Sequence, residues 1–126
     1  MDEVMFIIYV KDQQKSKEFY EKLLQISPSL DVPGMTEFKL SDNVKFGIML
    51  ENGIVKIFSK DTPHPKNGNG IPRCELYLRV IKPSDFIERG KSLGGKIISK
   101  LQDRDWGDKV GYIPDLDGHV IAFAEK

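Results

Sequence analysis

The sequence predicts an α+β protein in which two βαβββ modules form a curved mixed sheet around a cleft. The main observation is a repeated order of elements: a strand, an amphipathic helix and three strands, and then the same again. A shift of 70 residues places Val10 on Val80. Past the helix a longer loop increases the shift to 75, which places Phe46 on Ile121. Each half is too small to bury enough surface alone, so we expect one domain over residues 1–126.

The first module, about residues 1–59, opens with VMFIIYV (4–10), whose apolar and β-branched residues predict a strand buried on both faces. Asp12 is suited to cap the helix that follows, and this helix is expected to end near Gln25 because a proline lies just beyond. Alternating hydrophobicity predicts two further strands at 35–40 and 44–50, with IVKIF as an extension of the same meander.

A polar stretch rich in Pro, Gly and Asn lies within residues 60–72 and is interpreted as a linker, in which His64 is expected to be exposed. The second module, about residues 73–126, opens with CELYLRV, the clearest alternating strand of the chain. Its alternation places Glu75, Tyr77 and Arg79 on one face. Three more strands are predicted at KIISKL, DKVGYI and HVIAFAE, after a helix that begins at Pro83 and stops at Gly94-Gly95.

Composition excludes several classes of partner. The chain carries 19 basic and 19 acidic residues, so neither nucleic acid nor an anionic membrane is expected to bind it through charge. It contains no apolar run of ~18 residues or more, the length that predicts a membrane span. The single Cys74 cannot form an intrachain disulfide, and MDEVMFIIYV is too short and too acidic for a secretory signal. A cytoplasmic location is therefore expected.

Several motifs resemble the vicinal oxygen chelate superfamily, which includes glyoxalase I, extradiol dioxygenases and bleomycin-resistance proteins. VKDQQKSKEFYEKLL is similar to the first strand–helix junction of that superfamily. CELYLRV, then the DWG of residues 105–107, then GYIPDLDGHVIAF resemble its closing pattern, in which a D-P-D-G turn leads into the last strand. The resemblance covers nearly the whole chain. It implies the two-module fold and frequent dimers, but it does not specify a reaction.

The resemblance also implies where metal ligands would lie, because metal-using members place two His, Gln or Glu ligands on each module. The corresponding positions here hold Met5, Gly47 (or Ile48 if the loop differs by one), Glu75 and Ala122. Only Glu75 could ligate such an ion, and one carboxylate is too few for tight binding. We therefore expect no metal and no cofactor, and doubt glyoxalase or dioxygenase chemistry, which depends on a metal.

The same face is predicted to hold the ligand-binding residues Met5, Gly47, Met49, Glu75, Tyr77, Trp106 and Ala122. Trp106, the single tryptophan, could stack on a flat ligand or could pack at the module edge. Glu75 could bind a cationic or hydrogen-bonding group, act as a base if buried, or form an ordinary surface carboxylate. Methionines would give an adaptable apolar lining.

The turn DLDGH invites a metal or catalytic interpretation, since two acids and a histidine lie within five residues. The turn preferences of Asp and Gly favour a different one, in which Asp115, Asp117 and Gly118 form a tight turn with Asp side chains bonded to backbone N–H groups. Strand alternation directs His119 away from Ala122, which indicates a structural role.

The leading hypothesis is a metal-free binding protein that sequesters an aromatic or amphipathic compound, such as an antibiotic, and assembles as a homodimer. Binding alone suffices for resistance and needs no catalytic residue. The alternative is a metal-dependent lyase, isomerase or dioxygenase whose ligands are not recognised in the sequence. A third hypothesis is an interaction module whose cleft is filled by its own side chains.

Overall fold

A computed structural model describes residues 1–58 and 60–126, and these form two compact units, Met1–Asn69 and Gly70–Lys126. The first unit contains β1 (Val4–Val10), α1 (Gln13–Leu24), β2 (Leu30–Val32), β3 (Met35–Ser41), β4 (Val44–Leu50), α2 (Glu51–Phe58) and a 3-10 helix (Pro65–Gly68). The second contains β5 (Glu75–Arg79), α3 (Pro83–Gly94), β6 (Ser99–Asp103), β7 (Lys109–Pro114) and β8 (Val120–Glu125). None of the described helices has the length and apolar character needed to cross a membrane.

The sheet of the first unit has the strand order β1-β4-β3-β2, in which β1 and β4 are parallel and the other neighbours are antiparallel. Its core lies on the face covered by α1, because alternate residues of β3 and β4 point there and are fully buried. Tyr20 of α1 lies 4.7 Å from Phe46 between ring centroids, and Phe46 also stacks with Phe38. Burial of these rings stabilises the unit.

The strand predicted to be buried on both faces is partly exposed, which corrects the interpretation of VMFIIYV. Val4, Phe6 and Ile7 are exposed, whereas Ile8 and Val10 are buried. The physical reason is that β1 is the edge strand of its sheet, so its first half lacks neighbours on one side. An apolar run therefore predicted the strand correctly but did not predict its position in the sheet.

The cap predicted for α1 is confirmed. The Asp12 side chain accepts a hydrogen bond from the Lys15 N–H at 3.0 Å, and this satisfies one of the free donors at the start of the helix. The next residue, Gln13, ties α1 to the β2–β3 hairpin, because its amide donates to the Val32 carbonyl at 2.8 Å and accepts from the Gly34 N–H at 2.8 Å.

Two predictions for residues 54–72 are wrong. IVKIF belongs to α2 and does not extend the meander, and its side chains recur with helical spacing, since Ile54 is buried while Ile57 is exposed. His64 is half-buried: its Nδ1 accepts from the Lys66 N–H at 3.1 Å, and its Nε2 lies 3.0 Å from Asn52 Oδ1. His64 thus caps a short 3-10 helix in the stretch interpreted as a linker.

The second sheet repeats the topology of the first, with the order β5-β8-β7-β6. The registers confirm the predicted shifts: Ile7 pairs with Gly47 in the first sheet, and Tyr77 pairs with Ala122 in the second. The helix α3 begins at Pro83 and ends before Gly95, as predicted. Phe86 of this helix stacks on Phe123 of β8, with ring centroids 4.9 Å apart, and marks the covered face of the sheet.

Gly111 is required where α3 approaches β7. A Cβ atom at this position would lie 2.3 Å from Ile87 Cδ1 and 3.1 Å from the Leu101 backbone nitrogen. We expect Gly111→Ala to lower the free energy of unfolding by about 1–3 kcal/mol, the usual cost of overpacking. Urea denaturation of this variant and of Gly94→Ala, which meets nothing within 4 Å, measures the effect against a matched control.

The variant Ile87→Val tests the cause, because it removes the clashing Cδ1 atom. By itself it should cost about 0.5–1.5 kcal/mol. In the double variant Gly111→Ala/Ile87→Val the combined loss should be clearly smaller than the sum of the two single losses. Strict additivity would show that the contact with α3 is not what excludes a side chain at Gly111.

Candidate functional site

In the first unit the sheet face opposite α1 brings together the predicted residues Met5, Gly47 and Met49. A Cβ atom at Gly47 would lie 3.3 Å from Met5 Sδ, 3.1 Å from Ile7 Cγ1 and 2.7 Å from Met35 Cε. Met49 pairs with Met35 across the β3–β4 ladder and lies two residues beyond Gly47, so it shares this face. Flexible apolar side chains therefore lie around Gly47, which the resemblance predicts to be a ligand position in metal-using members.

Charged side chains also lie on that face, and one of them, Glu37, pairs directly with Gly47 across the β3–β4 ladder. Lys45 Nζ is 3.6 Å from Glu37 Oε1 and 3.4 Å from Glu3 Oε2, and all three side chains are partly exposed. Partly exposed ion pairs of this kind contribute little to stability. The atoms nearest to Gly47 nevertheless belong to the apolar side chains of Met5, Ile7 and Met35.

In the second unit the sheet face opposite α3 centres on Ala122. Ala122 is fully buried, pairs in register with Tyr77 of β5 and Tyr112 of β7, and both tyrosines pack against the cluster that it forms with Val110 and Ala124. The small side chain of Ala122 leaves the two phenol rings as the bulk of this surface. The predicted residues Tyr77 and Ala122 are thus neighbours.

Trp106 joins the same surface through a hydrogen bond. It lies in the turn between β6 and β7, its side chain is about half exposed, and its indole Nε1–H donates to the Tyr77 hydroxyl at 3.1 Å. The Tyr77 hydroxyl donates in turn to Asp108 Oδ2 at 2.7 Å. Trp106 is therefore held by the sheet through Tyr77 while much of its ring stays accessible.

Asp108 is the centre of this array, and its side chain is only 5% exposed. Besides the Tyr77 hydroxyl, Asp108 Oδ2 accepts from Arg79 Nε at 3.1 Å and from Arg79 Nη2 at 2.9 Å. A buried carboxylate needs such partners, because an unpaired charge away from water is costly. We call Trp106, Tyr77, Asp108 and Arg79 the Asp108 array.

The hydrogen bonds set the charge states of the array. The Tyr77 hydroxyl bond is the main cause that holds the pKa of Asp108 below its usual value, with Arg79 acting in the same direction against the opposing effect of burial. Burial is the main cause that raises the pKa of Tyr77, and its bond to Asp108 adds to this. At neutral pH the array therefore contains a carboxylate, a neutral phenol and a guanidinium.

A second arginine lies over the second tyrosine. Arg104 Cζ is 5.2 Å from the Tyr112 ring centroid, and Arg104 Nη2 donates to Ser99 Oγ at 2.9 Å and to the Val110 carbonyl at 2.9 Å. Similarly, Arg79 Cζ lies 5.5 Å from the centroid of Tyr77. A guanidinium group of the protein therefore already lies over each of these two tyrosine rings.

Glu75 is on the same face as Tyr77 but takes no part in the array. Glu75 is exposed at the start of β5, where it pairs in register with Val120. Among residues 1–58 and 60–126 its carboxylate forms no hydrogen bond or ion pair. The structure therefore places Glu75 two residues from Tyr77, with neither the burial nor the partners that a catalytic base needs.

In the turn before β8 Asp115 bonds to backbone N–H groups, as predicted for it. Asp115 Oδ1 accepts from the Asp117 N–H at 2.9 Å and from the His119 N–H at 2.9 Å. Asp115 Oδ2 lies 2.8 Å from His119 Nδ1. Ligand atoms of Asp115, Asp117 and His119 lie within 4.8 Å of one another, but the Asp115 carboxylate is already engaged by the turn and by His119.

Asp108, Arg79, Tyr112 and Arg104 were not among the predicted site residues. One signal was available for two of them, because Tyr112 alternates with Val110 in DKVGYI and Arg79 alternates with Tyr77 in CELYLRV. No sequence signal indicated that Asp108, which follows the DWG turn, would be buried beneath a tyrosine 31 residues earlier in the chain.

A family model for the glyoxalase-like domain matches residues 4–126. The fold is similar to a glyoxalase-related enzyme from Fulvimarina pelagi, with a TM-score of 0.82 and 18% identity over 100% of this chain and 89% of that one. It is also similar to a glyoxalase/bleomycin resistance protein/dioxygenase from Nocardioides, with a TM-score of 0.76 and 18% identity over 97% and 81% of the two chains. An uncharacterized protein of Mycobacterium bovis is 24% identical over 115 residues, which cover 89% of this chain and 75% of the relative. The chain therefore belongs to the glyoxalase-like domain family, within the vicinal oxygen chelate superfamily.

Proposed function

We propose that this protein is a metal-independent binding protein that sequesters a small aromatic or amphipathic compound, for example an antibiotic. The observation that carries the proposal is the chemistry of the four positions at which metal-using relatives place ligands. Met5 offers a thioether, Gly47 and Ala122 offer no donor, and Glu75 offers one carboxylate. These residues do not fit a divalent metal, which needs about three or more protein ligands of harder type.

The surroundings of these positions support binding of an apolar group. The side chains nearest to Gly47 are Met5, Ile7 and Met35, and Ala122 is flanked by Tyr77 and Tyr112. Sites for small molecules are mostly apolar and aromatic, with a few polar groups that fix the orientation of the ligand. Among the predicted site residues, Trp106 offers an accessible aromatic ring, and Tyr77 and Glu75 offer polar groups.

The proposal predicts a loss of binding in Trp106→Ala. Isothermal titration calorimetry with a panel of aromatic antibiotics should find a ligand for the wild type, and the substitution should weaken that ligand by about tenfold, since it removes a stacking surface. Phe6→Ala is the matched control, because Phe6 is an exposed aromatic residue on the other side of its sheet from Gly47. Equal affinity of the wild type and Trp106→Ala would contradict the assignment of Trp106.

A metal titration separates the proposal from a metal-dependent enzyme. Added Ni²⁺ or Mn²⁺ should change neither the fluorescence of Trp106 nor the melting temperature, and the purified protein should retain no metal after dialysis without a chelator. One tightly bound ion per chain that is lost in Glu75→Gln would contradict the proposal and favour a lyase, isomerase or dioxygenase.

Assembly as a homodimer in the cytoplasm is a further part of the proposal. Its support is the resemblance to a family in which dimers are frequent, together with a single cysteine and a net charge of zero. Sedimentation equilibrium over a range of protein concentrations should give twice the 14.3 kDa chain mass. A mass of one chain at every concentration would exclude the dimer, but it would not bear on the proposal that the protein binds a small molecule.

A further inference from the structure

We infer that the ligand of the second unit is an aromatic carboxylate, whose ring lies against Trp106 and whose carboxylate pairs with Arg79. This inference rests on the proposed function, because it names the class of compound bound by the same surface.

Arg79 presents an accessible positive charge in a fixed orientation. Its Nε and Nη2 both pair with one oxygen of Asp108, and its side chain is 57% exposed. Arg79 Nη1 forms no hydrogen bond within residues 1–58 and 60–126. A guanidinium has five N–H donors in a planar fork, so the outer edge of Arg79 can receive a carboxylate through two parallel hydrogen bonds.

The position of Asp108 favours Arg79 as a binding group for a ligand carboxylate, and not only as the ion-pair partner of Asp108. Because Asp108 is buried and Arg79 lies outside it, the accessible end of the pair is the cation. Tyr77 holds the other side of the carboxylate, so the arginine has a preorganised position and loses little freedom when a ligand binds.

The arginines make a cationic ligand unfavourable on this face. Aromatic rings attract cations, but Tyr77 and Tyr112 already carry Arg79 and Arg104 within 5.5 Å of their centroids. A further cation would meet repulsion from both guanidinium groups. Trp106 differs from the tyrosines, since within the described part of the chain no cation or second aromatic ring lies over it. Its indole is the ring available for stacking.

Three naphthalenes of the same shape test the inference: naphthalene-2-carboxylate, naphthalene-2-carboxamide and trimethyl(naphthalen-2-yl)ammonium. The chain has one tryptophan, so the indole N–H of Trp106 gives a single NMR resonance that reports binding at this surface. The carboxylate should bind at least about tenfold more tightly than the amide, and the cation most weakly, because a charge-assisted pair is stronger than a neutral hydrogen bond.

Variants of Arg79 test the role of the charge. In Arg79→Gln the carboxylate and the amide should bind with about equal affinity, and Arg79→Lys should restore part of the preference for the carboxylate. Arg89→Gln is the matched control, since Arg89 lies over Phe86 on α3 and not on the Trp106 face, and it should leave the preference unchanged. Binding of all three compounds with equal affinity, or a preference that survives Arg79→Gln, would overturn the inference while the binding protein stands. A Trp106 resonance that no naphthalene shifts would also overturn the inference, whereas the proposed function itself fails only if the antibiotic panel yields no ligand or a tight metal appears.

Discussion

Gly118→Ala should be among the most destabilising single substitutions in the second unit. Gly118 has a backbone φ of +93°, a conformation that glycine adopts readily and other residues rarely do. A Cβ atom there would also lie 2.6 Å from the Gly70 carbonyl oxygen and 3.0 Å from Gly70 Cα. Because these are backbone atoms, no side-chain rotation can relieve the overlap. We expect a loss of about 3 kcal/mol or more in the free energy of unfolding.

Gly107→Ala is the matched control for this prediction. Gly107 has a similar φ of +98°, but a Cβ atom there would meet nothing within 4 Å. It should therefore cost about 1–2 kcal/mol, which is the conformational term alone. Urea denaturation followed by circular dichroism gives both values. A difference between the two variants below about 1 kcal/mol would show that the Gly70 backbone can move away, and would refute the steric part of the argument.

Asp108→Asn should make stability much less sensitive to acid. The pKa of Asp108 lies below its usual value of 3.8, chiefly through the Tyr77 hydroxyl bond, so the folded state binds its proton less readily than the unfolded state does. Its stabilising contribution is therefore complete above the unfolded pKa and is lost as the pH falls through the lower folded pKa. The urea midpoint of the variant should lie below that of the wild type at pH 7, and the two should converge below about pH 4.

Asp31→Asn separates this effect from an ordinary surface ion pair. The pKa of Asp31 is also lowered, first by its hydrogen bond from Lys17 and then by that from Thr36. However, the Asp31 side chain is 39% exposed against 5% for Asp108, so salt should screen its contribution. At about 0.5 M NaCl the loss in Asp31→Asn should shrink and that in Asp108→Asn should persist. A loss in Asp108→Asn that stays the same from pH 7 to pH 3 would contradict a charged Asp108 in the folded protein.

Local sequence rules predicted several elements because those elements are stabilised locally. Asp12 caps α1 through a residue three positions away, and Asp115 closes its turn through residues two and four positions away. The prediction for IVKIF was wrong because a short apolar run fits a strand or a helix equally well. The burial of Ile54 and the exposure of Ile57 follow from its helical conformation in the folded protein.

The candidate site was only partly predictable. Repetition placed Gly47 and Ala122 at equivalent positions, and the registers of the two sheets confirm that equivalence. The Asp108 array was out of reach, since Tyr77 and Trp106 are each held by residues about thirty positions away in the chain. Nothing in DWGD distinguishes a buried Asp108 from the exposed Asp105 before it.

The sequence by itself determined the twofold repeat of a strand, a helix and further strands, although it missed β2 (Leu30–Val32) and indicated a strand at IVKIF. The repeat depends on periodicity and spacing, which the order of residues contains directly. Only the tertiary structure decided that β1 is an exposed edge, that methionines lie around Gly47, and that Asp108 holds Tyr77 and Arg79 beside Trp106. Burial and hydrogen bonding between distant residues depend on strand order and packing, and a linear pattern does not contain either.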